Sequence, residues 1–105
     1  MSIFDIYIAY VSWEEGGKSR PVLIFEQKGK WVDVFAITTQ YQNKSEAIKQ
    51  TYFKIEDWQE AGLYKQSYID TESRFDFPKA ILDTKEPVGT LTLKDRKEFL
   101  DFLNK

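Results

Sequence analysis

The chain is organised around an apolar stretch with an arginine and a proline at its start, Ser19-Arg20-Pro21-Val22-Leu23-Ile24-Phe25-Glu26. Proline has no backbone N–H, so it suits the first position of a strand and not its middle. It also favours an extended backbone at the residue before it. The sequence therefore predicts a strand over 20–27 and a polar, glycine-bearing loop over 12–19. Arg20 lies at the entry of that strand, where it can bind a phosphate or can simply be solvated.

Turn residues and side-chain periodicity predict two further strands around this one. A tight turn at 28–30, with Gly29 supplying a positive φ, leads into a strand over 31–38, so that residues 20–38 form a hairpin. Residues 3–11 also have the pattern of a strand, with apolar side chains on both faces. Such a strand is expected in the centre of a sheet or bent through a barrel wall.

The second half of the chain alternates short strands with short helices. The expected elements are a helical turn or loop at 45–50, a strand at 51–55, a helix at 56–62, a strand at 67–77, an edge strand or helical turn at 79–83, a turn at 86–89 and a terminal helix after Thr92. One face of that helix is predicted to be apolar, through Leu93, Phe99, Leu100 and Leu103. Phe102 lies off this face, and it either edges the core or marks a partner contact.

These elements predict one domain over 1–105, mainly β with helical additions (α+β). The order of strands and helices is that of a small, strongly bent antiparallel sheet, most simply an SH3-like β-barrel with a C-terminal helix. The length of 105 residues fits a single domain. No segment approaches the ~20 apolar residues of a membrane span, and no leader is recognisable, so we expect a cytoplasmic protein without a membrane partner.

The composition removes most familiar catalytic groups. The chain contains no cysteine and no histidine, which excludes a thiol nucleophile and an imidazole base. A phosphate-binding glycine loop of the P-loop kind is absent. A zinc site would need carboxylates alone, which is unusual, so we expect no metal and no cofactor. The net charge of −2 argues against broad nucleic-acid binding but leaves room for a local basic groove.

RNA cleavage is one reaction that suits these residues, because RNA carries its own nucleophile in the 2′-hydroxyl. The protein needs only to orient that group, accept a proton and stabilise charge on the phosphoryl oxygens. Arginine donates two parallel hydrogen bonds to a phosphate. Arg20 could therefore hold the phosphate together with a hydroxyl such as that of Thr38, while a carboxylate accepts the proton.

Three stretches then resemble a known family. They are Asp5-Ile6-Tyr7 through Glu15 to Arg20-Pro21-Val22-Leu23-Ile24, then Ala36-Ile37-Thr38-Thr39-Gln40, and then Gly62-Leu63, Ser67-Tyr68-Ile69 and Val88-Gly89-Thr90-Leu91 before the terminal helix. Together they resemble the MazF/PemK-type toxins of bacterial type II toxin–antitoxin systems. The resemblance implies an SH3-like barrel of the MazF/CcdB type, a homodimer and a cognate antitoxin with a disordered tail. It also implies sequence-specific, metal-independent cleavage of single-stranded mRNA, leaving a 2′,3′-cyclic phosphate and a 5′-hydroxyl.

The resemblance also implies roles for individual residues. Arg20 would be the catalytic acid and phosphate stabiliser, and Thr38 the second catalytic position. Glu15 would be the carboxylate of a mobile loop, where it either accepts a proton or is merely solvated. Arg74 and Asp76 lie near a downstream segment of the family and are carried over as RNA-binding residues, although they could be an exposed strand pair.

Other residues are candidates for RNA contacts on their own chemistry. Lys18 and Lys28 could contact phosphates, and Trp13 could stack on a base or cover the mouth of the barrel. Two alternatives to a nuclease remain open. One is a gyrase inhibitor of the CcdB type, which would use the C-terminal residues 102–105, and the other is a non-catalytic SH3-like binding module.

Overall fold

An antiparallel six-stranded sheet forms the body of the protein. The computed structural model describes all 105 residues except the side chain of Trp13. The elements are β1 (Asp5–Trp13), β2 (Gly16–Lys28), β3 (Trp31–Thr38), α1 (Glu46–Lys49), β4 (Tyr52–Lys54), β5 (Tyr68–Pro78), α2 (Lys79–Asp83), β6 (Gly89–Thr90) and α3 (Leu93–Leu103). The strand order is β4-β5-β3-β2-β1-β6, and every neighbouring pair is antiparallel. This curled sheet with its C-terminal helix confirms the mainly β prediction.

Each face of the sheet carries its own apolar cluster, because successive side chains of a strand point to opposite faces. We call the two faces the α3 face and the α2 face. The cluster on the α3 face contains Ile6, Leu23, Phe35, Ile37, Phe53, Ile55, Ala61, Leu63, Ile69, Leu91 and Phe99. The cluster on the α2 face contains Tyr7, Ala9, Val11, Val22, Ile24, Val32, Val34 and Leu82. The sheet is therefore covered by a different helix on each side.

The hairpin of β2 and β3 confirms the prediction over 20–38. Gly29 has a φ of 62° in the turn, and no heavy atom of the described residues, its chain neighbours aside, lies within 4 Å of the position that a Cβ would take there. The register is irregular between Ile24 and Glu26, which identifies a bulge at Phe25. The last β2–β3 pair is Val22 with Ala36, so the two strand ends beyond these residues are no longer joined.

The predicted loop over 12–19 is wrong, because this segment continues the sheet. β1 pairs with β2 as far as Trp13 with Gly16, leaving only Glu14 and Glu15 in the turn. The glycines indicated a flexible loop, but Gly17 has a packing role. A Cβ added there would lie 2.6 Å from the hydroxyl of Tyr10, whose ring packs across the strand. Pairing continues because it satisfies backbone groups that a loop would leave to solvent.

β1 is an edge strand over most of its length, and the prediction of a central strand is wrong. β6 covers only Asp5 and Ile6. Beyond them, Ile8 and Tyr10 are exposed on the α3 face, although the alternate residues of β1 are buried on the α2 face. The apolar side chains on the two faces of β1 therefore differ in their surroundings. Those on the α2 face are buried in the core, and Ile8 and Tyr10 on the α3 face form an exposed apolar surface.

Residues 56–62 form consecutive turns and no regular helix, contrary to the prediction. A helix of seven residues is too short to be stable by itself, so tertiary contacts decide the conformation of such a segment. Here the backbone amide of Ala61 donates to the Asp57 carbonyl at 3.0 Å within the turns, and the backbone amides of Glu56 and Asp57 donate to the carboxylate of Asp95, at 3.2 and 2.8 Å. Gly62 has the predicted positive φ, at 92°, and its backbone passes directly against that of Val88.

The terminal helix α3 starts where the sequence predicts, with the Thr92 hydroxyl accepting from the Asp95 amide at 3.3 Å. Its buried face agrees with the prediction at Phe99 and Leu103 and differs from it at Leu93 and Leu100. Leu93 is 79% exposed, whereas Asp95 and Phe99 are fully buried. The helix face that carries Asp95 is buried because the Asp95 carboxylate accepts hydrogen bonds from the backbone amides of Glu56 and Asp57. Phe102 contacts Phe53 with ring centroids 5.6 Å apart, so it edges the core. Leu100 is exposed as well.

The remaining predictions for the second half are mostly confirmed, with one irregularity in β5. Ser45 caps the helical turn α1, and residues 79–83 form the helix α2 and not an edge strand. In β5, Arg74 pairs with Phe35 but Asp70 pairs with Ala36, so residues 71–73 bulge out. No helix in the described part of the chain is long and apolar enough to cross a membrane.

Candidate functional site

A pocket of about 170 Å³ opens where the ends of β2 and β3 separate. The segment over 63–67 closes it on the side towards β5. The polar and charged side chains among its lining residues are Lys18, Ser19, Arg20, Thr38, Thr39, Gln40, Tyr64, Lys65 and Ser67. Three of these are cationic and none is acidic, so the pocket is suited to an anion.

Arg20 is the most unusual residue of this pocket. Its side chain is partly buried, and the buried Nε atom has no hydrogen-bond partner within the described residues. None of the salt bridges among the described side chains involves Arg20. A buried donor without a partner costs about 1–3 kcal/mol, and more when it is charged. The fold thus holds a guanidinium whose bonding capacity is unused.

Thr38 supplies a hydroxyl in the same pocket. The residue is 8% exposed, and its Oγ1 accepts from the backbone amide of Gln40 at 3.0 Å. A hydroxyl has one donor and two acceptor positions, so this bond leaves its proton free to donate. Lys18 is exposed at the rim. The structure therefore brings together three of the predicted site residues: Lys18, Arg20 and Thr38.

Glu15 is not brought to this pocket. It lies in the turn between β1 and β2, and the strand from Gly16 to Arg20 keeps it away from the guanidinium. At about 3.3 Å per residue, five residues of strand correspond to roughly 16 Å. A mobile loop could have folded back over Arg20, but a paired hairpin extends in the opposite direction. The side chain of Trp13 lies outside the described part of the structure.

Lys28, Arg74 and Asp76 lie at the other end of the sheet. Arg74 donates from Nε to the buried carboxylate of Asp33 at 2.7 Å, and this hydrogen bond raises the pKa of Arg74. Its guanidinium also lies 5.3 Å from the ring centroid of Phe35. The ammonium of Lys28 lies 3.8 Å from the same Asp33 carboxylate. Asp76 pairs with Asp33 across the strands. Arg74 and Lys28 therefore both form ion pairs with Asp33 within the protein.

Asp70 is a polar residue near the pocket that the sequence did not single out. It pairs with Ala36 on one side and with Tyr52 on the other, so it shares the face of Thr38. Its carboxylate accepts from the Glu72 amide at 3.0 Å and from the Ser73 hydroxyl at 2.7 Å. These two hydrogen bonds stabilise the bulge of residues 71–73 in β5. Only the register of a folded sheet shows that Asp70 lies diagonal to Thr38 on one face.

The electrostatics of Tyr52 connect this carboxylate with Arg20. Burial is the main cause that raises the pKa of Tyr52, and the negative charge of Asp70 raises it further. The positive charge of Arg20 acts in the opposite direction. Arg20 and Asp70 are thus both close enough to Tyr52 to act on the same phenol, although β3 and β5 lie between β2 and β4. The curl of the sheet brings these residues together.

Comparison with known proteins adds no relative. No family model matches the chain, and no curated protein sequence matches it. Among the described residues there is also no cluster of three or more carboxylates that could hold a metal ion.

Proposed function

We propose that the protein is an endoribonuclease toxin that cleaves single-stranded mRNA by attack of the 2′-hydroxyl on the adjacent phosphate, without a metal. The observation that carries this proposal is the unpartnered guanidinium of Arg20 in a cationic pocket, beside the free hydroxyl proton of Thr38. The residues that form this arrangement are among those that resemble the MazF/PemK-type toxins. Such a pocket suits a phosphodiester better than a neutral substrate.

In the proposed reaction the 2′-oxygen forms a bond to phosphorus while the bond from phosphorus to the 5′-oxygen breaks. Arg20 and Thr38 donate hydrogen bonds to the phosphoryl oxygens, where negative charge increases in the transition state. A guanidinium keeps its proton at any ordinary pH, so Arg20 acts by stabilising charge. The 5′-oxygen takes its proton from solvent. The products are a 2′,3′-cyclic phosphate and a 5′-hydroxyl.

Asp70 is the carboxylate best placed to accept the proton of the 2′-hydroxyl. It lies on the same sheet face as Thr38 and is diagonal to it across β3 and β5. Each of its oxygens accepts one hydrogen bond and retains capacity for another. Glu15 would have to cross the length of the hairpin to take this role.

The proposal includes the SH3-like barrel of the MazF/CcdB type, a homodimer and a cognate antitoxin. The curled sheet supports the barrel. The outer edge of β1 beyond Ile6 has no partner strand in the described residues, and Ile8 and Tyr10 are exposed along it. Edges of this kind are prone to pair with another chain. A second copy that covers β1 would bury both side chains.

Of the two alternatives, the gyrase inhibitor receives less support from the structure than the nuclease does. A gyrase inhibitor of the CcdB type would rely on residues 102–105, but Phe102 is packed on Phe53 and the ammonium of Lys105 lies 5.5 Å from the Phe102 ring centroid. A non-catalytic binding module would use the same cations to bind RNA without turnover. It is an outcome of the experiment below.

A cleavage assay in EDTA tests the proposal. The purified protein is incubated with a long single-stranded RNA and, separately, with DNA of the same sequence. We expect discrete RNA fragments that end in a 2′,3′-cyclic phosphate, and intact DNA, because DNA lacks the nucleophile. RNA that is bound but uncleaved would favour the binding module. No effect on RNA, with inhibition of DNA supercoiling by gyrase, would favour the gyrase inhibitor.

A further inference from the structure

Three tyrosines form a cluster beside the pocket. The rings of Tyr41 and Tyr68 are stacked, with centroids 4.3 Å apart and planes 5° apart. Tyr52 lies 6.3 Å from Tyr41 at an angle of 44°. The ammonium of Lys49 lies 5.1 Å from the centroid of the Tyr41 ring. We call these four residues the tyrosine cluster.

The tyrosine cluster adjoins the pocket through Thr38. Tyr68 is the direct cross-strand partner of Thr38, so their side chains share a face with Cβ atoms about 5 Å apart. Tyr52 lies one strand further, opposite Asp70. It is the phenol whose pKa responds to both Asp70 and Arg20. The cluster therefore begins one strand spacing from the residue that would hold the scissile phosphate.

The hydroxyl groups of these tyrosines are not needed for packing. No hydrogen bond within the described residues involves them, and none of them is a buried atom without a partner. Tyr41 and Tyr52 are half-buried, whereas Tyr68 is buried against Tyr41. β4 shows the contrast directly, because Phe53 fills the core on the α3 face while Tyr52 is half-buried on the other. A phenylalanine would pack as well as Tyr52 here, so its phenol is available for a ligand.

The segment that carries Tyr41, Lys49 and Tyr52 differs in charge from the rest of the chain, and Asp70 lies opposite Tyr52 on the next strand. Residues 39–55 contain Lys44, Lys49 and Lys54 but only one acidic residue, Glu46, which gives a local charge of +2 in a protein of net charge −2. The remaining residues therefore carry −4. Tyrosines interleaved with lysines are typical of surfaces that bind single-stranded nucleic acid, where bases stack on rings and cations contact phosphates.

We propose that Tyr41, Tyr52, Tyr68 and Lys49 form a base-binding subsite that holds the nucleobase next to the phosphate bound by Arg20. This inference rests on the proposed function and specifies the substrate path. The single strand crosses β3, β5 and β4 on the face of Thr38, away from the β1–β2 hairpin. Lys49, whose ammonium lies 3.7 Å from the exposed carboxylate of Glu46, contacts the backbone of the bound nucleotide by exchanging this partner for a phosphate.

Binding of a non-cleavable RNA tests the subsite independently of catalysis. The probe is a short fluorescent oligouridylate with 2′-O-methyl groups, and the comparison is the same backbone with abasic positions. By fluorescence anisotropy we expect the parent protein to bind the base-bearing probe about tenfold more tightly than the abasic one. Equal binding of the two probes, or no binding of either, would overturn the subsite without any variant.

Variants then assign the base contact to the tyrosine cluster. We expect Tyr41→Leu and Tyr52→Leu each to weaken binding of the base-bearing probe about tenfold and to leave abasic binding unchanged. Tyr52→Phe keeps the ring and serves as the conservative variant, which should retain most of the affinity. Trp31→Leu removes an exposed aromatic ring at the opposite end of β3 and is the matched control. Unfolding midpoints establish that each variant is folded.

The outcomes separate the subsite from the nuclease. If the parent cleaves RNA but the tyrosine variants bind the probe like the parent, the subsite is wrong and the proposed function stands. If binding depends on the tyrosines but no RNA is cleaved, the subsite stands and the proposed function is wrong.

Discussion

At the scale of single residues, Arg20 is unusual because the fold leaves its guanidinium without a hydrogen-bond partner among the described residues. Its Nε is buried without a partner, although arginine donors inside proteins are normally satisfied. Residues whose removal would stabilise the fold are characteristic of sites that bind a ligand, because function there opposes stability. We therefore interpret the missing partner as the position of a phosphate.

This interpretation predicts the effect of Arg20→Met on stability. Methionine keeps the length of the side chain and removes the unsatisfied donors, so the free energy of unfolding should stay equal or rise by about 1 kcal/mol. Urea unfolding measures it. Added inorganic phosphate should raise the melting temperature of the parent and not of Arg20→Met. A clear loss of stability in Arg20→Met would show that Arg20 has a structural partner and would contradict the interpretation.

A second residue prediction concerns the proton acceptor. Loss of a general base typically reduces a rate by about 10²–10⁴-fold, so we expect Asp70→Asn to reduce RNA cleavage by at least about 10²-fold. Glu15→Gln should cleave RNA like the parent, because Glu15 lies at the tip of the hairpin. Initial rates on one RNA substrate compare the two variants. The reverse pattern would return Glu15 to the role that the sequence resemblance implies.

At the scale of elements, local signals were enough wherever a strand or helix was defined by its own residues. The strand over 31–38 has the predicted bounds, Gly29 forms the predicted turn, and Thr92 caps the terminal helix. The prediction of a loop over 12–19 is wrong because it takes the glycines as a sign of flexibility, whereas Gly17 leaves room for the ring of Tyr10. Whether a glycine is mobile or close-packed depends on what lies opposite, which a single sequence does not show.

The candidate site was predictable only in part for the same reason. Arg20 and Thr38 are predicted from the sequence because they lie in motifs that resemble those of the MazF/PemK-type toxins, and the structure places both in one pocket. Asp70 was missed because its position depends on a three-residue bulge and on pairing with residues over 30 positions away. The buried face of α3 was misassigned in part because Asp95, a charged residue, turns inward to bind backbone amides 38 and 39 positions away.

Close packing of backbone predicts a strong effect at Gly89. A Cβ at this position would overlap the carbonyl oxygen of Ala61, and backbone cannot move aside as a flexible side chain can. We expect Gly89→Ala to lower the free energy of unfolding by about 2–4 kcal/mol. Gly29→Ala is the control, since Gly29 has a positive φ in open space, and it should cost about 1 kcal/mol. Urea unfolding of both variants gives the comparison, and equal losses would mean that backbone conformation alone decides the effect.

At the scale of the whole molecule, the sheet separates two kinds of surface. The ends of β2, β3, β4 and β5 carry Arg20, Thr38 and the tyrosine cluster, and the β1 edge carries exposed apolar side chains. The two surfaces meet where Ala9 of β1 pairs with Arg20, and Ile8 and Tyr10 point to the α3 face, opposite to Ala9.

The exposed edge predicts how a dimer would be disrupted. Ile8→Lys places a charge on β1 and should block pairing of that edge, converting the proposed dimer into a monomer. Light scattering coupled to size-exclusion chromatography measures the mass in solution. Ile48→Lys is the control, because Ile48 is exposed in α1, which leads into β4 at the opposite end of the strand order, and this variant should remain a dimer. A monomeric parent, or a dimeric Ile8→Lys variant, would contradict the assignment of this interface.

The central claim is that Arg20 stabilises the phosphate during RNA cleavage. Its most direct test is the rate of cleavage of one single-stranded RNA in EDTA by the parent, by Arg20→Ala and by Lys28→Ala, which removes a lysine at the other end of the sheet. We predict cleavage by the parent and by Lys28→Ala, and none detectable with Arg20→Ala. Cleavage by Arg20→Ala at the rate of the parent, or intact RNA with all three proteins, would contradict the account.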